Sequence, residues 1–311
     1  MMQFRSHTIA SGDAVARHVS INAHWAVVAV ENSDSWKVVA LRLGRDETPV
    51  TVILASAFLR TCTIRDVSLS SDDRVAVALE GEEVQLVSVR GARGARLPEA
   101  RAARWIGSSA AHYSLAALRK GTVHLHSAPA WGQTELFHAR KEREIALFDA
   151  SSSGVVAAVS GMELWVLHRR GQGFVHTVKA LEDATYSALS AGSTFVALGF
   201  TAASCAGVDV FDLQGGIAGR RVVASGVPVA LETFGKRVLV AVTGVDRSAG
   251  VFGFTVTSDE NIRVASGGTL NKNWPPGCLC LRESSWAFAR KAVGASAGQP
   301  VIVLEHAQLA N

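Results

Sequence analysis

The sequence predicts an all-β fold, a seven-bladed β-propeller of four-stranded antiparallel blades, and three observations predict it. A short apolar block recurs seven times: WAVVAV (25–30), RVAVAL (74–79), YSLAAL (113–118), GVVAAV (154–159), TFVALGF (194–200), RVLVAV (237–242) and WAFARKAV (286–293). With Ala29, Ala78, Ala117, Ala158, Ala197, Ala241 and Ala289 as markers, the steps are 49, 39, 41, 39, 44 and 48 residues, the period of a propeller repeat. Between the blocks lie further short apolar runs set off by polar turns, enough for four strands per repeat.

The repeats occupy roughly 14–58, 62–101, 102–140, 143–181, 185–225, 227–270 and 277–307. The second is the plainest. DVSLS (66–70) alternates, SDD (71–73) turns on short polar side chains, RVAVAL is a buried strand, and EGEE (80–83) turns again. VQLVSV (84–89) is a third strand and GARGARLPEAR (91–101) supplies the fourth. The first reads HVSINA, WAVVAV, WKVVALRL, PVTVILA; the third ARWIGSS, YSLAAL, GTVHLHSA, TELFHAR; the fourth EIALFDA, GVVAAV, MELWVLHRR, FVHTVKAL. The fifth reads YSALSAG, FVALGF, GVDVFDL, GRRVVASG and the sixth PVALETF, RVLVAV, GVFGFTV, NIRVASGG. The seventh has only CLCLRES, WAFARKAV and PVIVLEHA, one strand short, so residues 2–10 are expected to add its outer strand and close the ring. Near-continuous Val, Ala and Leu in the second strand of the second repeat fits its burial between neighbouring blades, and alanine there is expected to let tightly spaced sheets approach.

Composition narrows the class. The chain has 311 residues, 48% apolar and 19% charged, which suits a packed core, and the seven repeats fill it as one domain. A net charge of +4 is far from the concentrated basic face of a dedicated nucleic-acid binder. Cys62, Cys205, Cys278 and Cys280 show no CxxC spacing and read as free thiols of a reducing compartment, so the expected location is intracellular, cytoplasmic or nuclear. No apolar run approaches the roughly 18 residues of a membrane span, and the N-terminal stretch lacks the apolar segment of a secretory signal.

The repeat architecture resembles the WD40-like seven-bladed propeller superfamily over the whole chain. The specific dipeptides are almost absent: no blade has Gly-His before its first strand, Trp36 and Trp165 lack a following Asp, and Phe211–Asp212 is the best echo of Trp-Asp. The buried polar network those dipeptides build is therefore expected to be missing. Two local stretches are similar to the phosphoinositide-binding propellers of autophagy: Leu167–His168–Arg169–Arg170–Gly171 and Lys120–Gly121–Thr122–Val123–His124, here in reversed order. That resemblance implies a lipid head-group role for Arg169 and Arg170, which the sequence itself reads as a surface turn after the third strand of the fourth blade.

No constellation of catalytic residues emerges. His124 and His126, two apart on a strand, share one face, but two ligands without a third make neither a metal site nor a catalytic one. Asp66, Glu144, Asp149 and Glu232 fall on first strands at no repeated position, so a metal of the propeller hydrolase or lactonase kind is not signalled. There is no GxSxG elbow and no phosphate-cradling glycine pattern, Gly215–Gly216 and Gly267–Gly268 reading as turns. No cofactor, metal, catalytic residue or small-molecule substrate is expected.

The densest charge is Arg90, Arg93, Arg96, Arg101 and Arg104, relieved only by Glu99, a stretch suited to an acidic protein surface or to RNA phosphates. Absent interleaved aromatics weigh against single-stranded RNA. The reading is a non-catalytic scaffold that binds other proteins as a subunit or adaptor. Its contacts are expected at that stretch and at the turns 31–35, 201–207 and 243–249. The alternatives are a phosphoinositide-binding adaptor and a propeller hydrolase or lactonase with a channel metal.

Overall fold

The computed structural model describes residues 5–308 apart from 44–50, 59–62, 81–82, 91–92, 110–111, 120, 129, 140–143, 171–172, 224–225, 244–248, 257–261, 271–278, 283–284 and 294–299. Among the described residues every regular element is a strand, and the strands form seven four-stranded antiparallel sheets. The chain divides into two compact units, Met1–Ala103 with Trp274–Asn311, and Arg104–Asn273.

In the first unit, β2 (Val15–Ile21), β3 (Trp25–Glu31), β4 (Ser35–Arg42) and β5 (Thr51–Phe58) make one sheet. A second holds β6 (Ile64–Leu69), β7 (Arg74–Leu79), β8 (Glu83–Ser88) and β9 (Arg93–Pro98). The third joins β26 (Leu279–Arg282), β27 (Ser285–Val293) and β28 (Pro300–Gln308) to β1 (Arg5–Ser11), in the order β1-β28-β27-β26. β1 runs antiparallel to β28 from Arg5 opposite His306 to Ser11 opposite Val301, so the N-terminal strand supplies the fourth strand of that sheet.

The second unit has four sheets in sequence order. They are β10 (Ala102–Ser109), β11 (His112–Arg119), β12 (Thr122–Ser127), β13 (Gly132–His138); then β14 (Ile145–Ala150), β15 (Val155–Ser160), β16 (Glu163–Arg170), β17 (Gly173–Ala180). The remaining two are β18 (Thr185–Ala191), β19 (Phe195–Thr201), β20 (Ala206–Asp212), β21 (Ile217–Val223); and β22 (Val227–Phe234), β23 (Arg237–Thr243), β24 (Ala249–Val256), β25 (Ile262–Leu270). Gly267 and Gly268 lie inside β25, not in a turn, and pair with Phe252 and Val251. Gly215 does turn, at φ 80°.

The second strands lose their polar alternation because each face meets a different core. Along β3, Ala26, Val28 and Val30 pack with Ala10, Ala14, Ile21 and Leu41, while Val27 and Ala29 pack with Val67, Leu69, Val75 and Val77 of the next sheet. Along β19, Val196 and Leu198 face Ala157, Val159 and Val166, and Ala197 faces Leu231, Val238 and Val240. Small residues occupy the tightest approaches: a Cβ on Gly199 would lie 2.6 Å from Cβ of Pro228.

Polar seams stitch successive sheets together, although the family dipeptides that would supply such a network are absent. Ser20 Oγ accepts the Leu69 N–H (3.0 Å), an Asp149 carboxylate oxygen accepts the Ala191 N–H (2.9 Å), and Ser190 Oγ accepts the Thr233 N–H (2.9 Å). Each acceptor is the penultimate residue of a first strand, and each donor belongs to the first strand of the following sheet. These seams are not the network the dipeptides would build: in each, one backbone N–H finds a side-chain acceptor, which satisfies a donor that burial would otherwise leave costly. Asn22 adds a second tie, accepting the N–H groups of His24 and Trp25 and donating to the Ser70 carbonyl at 2.8 Å.

Candidate functional site

The arginine stretch does not form one uncompensated patch. Arg90 is exposed beyond β8, and Arg93 and Arg96 lie on β9 opposite Val87 and Gln85. Arg96 reaches Glu83 of the same sheet at 3.6 Å, and Arg104, on β10, lies 3.3 Å from Asp149 of β14. Arg101 is half-buried in the bend before β10. Of the four carboxylates on or beside first strands, Asp149 is thus a seam acceptor and ion-pair partner, and Glu144 is exposed just before β14.

Arg169 and Arg170 are the last two residues of β16 and pair with Phe174 and Gly173 of β17, which corrects their placement in a turn. Both are exposed, and being consecutive on a strand they point to opposite faces. Gly171 lies outside the described residues. In the other similar stretch, Lys120 lies outside the described residues, Gly121 turns at φ 87°, and Thr122, Val123 and His124 are buried within their sheet.

Among the chosen turns, 31–35 is a tight connection closed by the Asn32 N–H to the Ser35 carbonyl, with Asn32, Ser33 and Asp34 exposed. In 201–207, only Ala203 and Ser204 are exposed, and Ala206 and Gly207 are already buried in β20. In 243–249, residues 244–248 lie outside the described residues, as do Cys62 and Cys278; Cys205 is a free, half-buried thiol.

His124 and His126 do share a face of β12, and both are buried, with ring centroids 6.5 Å apart. The Gln133 amide lies 2.9 Å from His124 Nδ1, and His126 Nδ1 lies 3.4 Å from the Trp131 carbonyl. Among the described residues no group of three or more His, Cys, Asp or Glu side chains is placed to hold a metal. Burial holds both imidazoles below the ordinary value of 6.5, with Arg119 lowering each further; His138 and His126 also lower His124, Glu135 raises it, and the Trp131 carbonyl raises His126. Because the folded values lie below 6.5, the unfolded chain takes up protons first as pH falls. Stability from this pair is present above that value and lost below it. Urea midpoints taken at about pH 8 and about pH 5 are expected to fall, and the fall is expected to shrink in the His124→Gln, His126→Gln double variant.

A further charged centre, among the described residues, carries no signal in the sequence. Asp209 on β20, 2% exposed, is grasped by the Arg220 guanidinium of the adjoining β21 through Nε to Oδ1 and through a second nitrogen to Oδ2 at 2.8 Å. Arg220 also reaches Glu182 at 2.9 Å and lies 5.1 Å from the Phe200 ring centroid. The bonds to Asp209 and Glu182 raise the guanidinium's affinity for its proton, so it stays charged. Burial, then Asp209 and Glu182, push the neighbouring Tyr186 hydroxyl up. This doubly bonded ion pair, with its carboxylate buried and its guanidinium partly exposed, ties two adjacent strands together. Asp212, the acid of the Phe-Asp echo, instead caps the following turn by accepting the N–H groups of Gln214 and Gly216 at 2.8 Å each.

No family model and no curated protein matches the sequence. Solved structures do match the fold. A chain of the mitotic checkpoint complex is similar over 99% of this chain and 91% of its own, at 14% identity and a TM-score of 0.67. The WD40 domain of Toxoplasma gondii coronin gives 97%, 86%, 12% and 0.63, and the C-terminal WD40 domain of Sif2 gives 97%, 98%, 12% and 0.57. BamB from Moraxella catarrhalis is similar over 95% of this chain and 86% of its own, at 15% identity and 0.55. The fold is that of a divergent WD40-like β-propeller.

Proposed function

We propose that the two units close into a single seven-bladed propeller, with β1 completing the last blade, and that this propeller is a non-catalytic protein-interaction scaffold. It would serve as a subunit or adaptor of an intracellular assembly whose other members are proteins. The observation that carries the reading is the likeness, over nearly the whole length, to WD40 domains, one of the similar chains being part of a named multi-protein complex. Physical features support it. Second strands buried on both faces and side-chain seams between first strands give a stiff frame, while connecting turns stay free to vary. Asn32–Asp34 and Ala203–Ser204 are exposed turn tips of this kind. The arginine stretch is a weaker partner surface for RNA or an acidic protein, since Arg96 and Arg104 already have carboxylate neighbours.

Affinity isolation of the tagged chain from its own cells, at physiological and at high salt, tests the proposal. Stoichiometric co-purifying proteins are the expected result. A chain recovered alone and carrying a tightly bound divalent metal would contradict it and favour a propeller hydrolase.

A further inference from the structure

Among the described residues β17 is the last strand of its sheet and pairs along one edge only, with β16. The Leu181 N–H donates to the Met162 carbonyl, which fixes the phase of this antiparallel ladder. Stepping back in twos, Lys179, Thr177 and Val175 turn their backbone groups toward β16, and Val178, His176 and Phe174 turn theirs outward. The outward edge is therefore a row of donors and acceptors with no strand beside it in the sheet, flanked by the exposed side chains of Val175, His176 and Val178.

The charge is positive where β17 begins and mixed where it ends, with Glu163 opposite Ala180 and Glu182 and Asp183 exposed just beyond it. β17 contains no acidic residue, and Arg169 and Arg170 stand opposite its first two residues, one on each face. Among the described residues no carboxylate pairs with either arginine, in contrast to Arg220 beside Asp209 and Arg96 beside Glu83. Lys179 adds a cation toward the other end, on the face that packs on the turn at Gly215.

We propose that the outer edge of β17 is a docking site for an extended, acidic segment of a partner protein, which adds as a fifth strand. Its backbone takes the outward groups of Phe174, His176 and Val178, and its carboxylates meet Arg169 on one face and Arg170 on the other. This rests on the scaffold reading and names a surface for it. A lipid membrane fits less well, because two arginines on opposite faces of a strand do not meet one plane of head groups together.

The probe is a short fluorescein-labelled peptide alternating glutamate with threonine, read by fluorescence anisotropy, with a lysine-for-glutamate counterpart as control. Saturable, salt-sensitive binding of the acidic peptide alone is expected. Arg169→Glu with Arg170→Glu is expected to weaken it at least about tenfold, as the loss of two charge pairs implies. Val178→Pro removes an outward N–H and no bond of the β16 ladder, so it is expected to weaken binding with little change in melting temperature. Equal binding of both peptides, indifference to both variants, or binding only to vesicles containing phosphatidylinositol phosphates would overturn the proposal. Affinity isolation separates the two readings. Partners retained equally by wild type and the double arginine variant refute the β17 edge and leave the scaffold standing, whereas no partner with either refutes both.

Discussion

Arg220→Ala is expected to lower stability by about 3–5 kcal/mol, because it leaves a carboxylate in the interior without its counter-charge. Asp209 is 2% exposed and its two oxygens are both taken up by that guanidinium. The converse change, Asp209→Ala, is expected to cost less, about 1–2 kcal/mol, since Arg220 is 39% exposed, keeps Glu182 and can turn to water. The asymmetry is diagnostic. Denaturant titrations of the two variants should show the arginine variant as the weaker fold at neutral pH. Equal losses, or a larger loss from Asp209→Ala, would mean that the pair holds β20 and β21 together by packing and not by charge compensation.

Gly199→Val is expected to be the most disruptive single change among the second strands, at about 2–3 kcal/mol, through overpacking between two sheets. The added Cβ alone would sit 2.6 Å from Cβ of Pro228 and 3.4 Å from Cβ of Ala188. A proline ring cannot rotate aside, so β18, β19 and β22 would have to separate. Gly132→Val is the control, because a Cβ there has nothing within 4 Å, and it is expected to change stability by no more than about 0.5 kcal/mol. Similar melting temperatures for the two variants would show that the sheets are not held at a spacing that excludes side chains.

Both results bear on what could be read from the sequence. The repeat was legible because burial on two faces, as in β3 and β19, leaves a run of apolar residues without alternation, and a similar short apolar block returns in every repeat. The missing strand of the last sheet was legible by count, and β1 does pair with β28. The seams were not legible, because Ser20, Asp149 and Ser190 share a position but not a residue type, and only strand register aligns them. In GVDVFDL, Asp212 stands out for its place after Phe211, whereas Asp209 is the buried acid. Its neighbours Val208 and Val210 are as buried as it is, so no alternation marks it out. Arg96 and Arg104 looked like part of a free cluster because their carboxylates lie on other strands, Asp149 in another sheet. Arg169 and Arg170 looked like a turn because charged pairs often flank one, yet β16 and β17 stay paired as far as Arg170 and Gly173.

The sharpest check on the scaffold role is the mass of the endogenous species in a freshly lysed extract, by gradient sedimentation followed with an antibody. The chain alone is 32.8 kDa. A scaffold subunit is expected to sediment mostly in a discrete species well above that mass, and to hold there in high salt. A chain found entirely at its monomer mass would contradict the account.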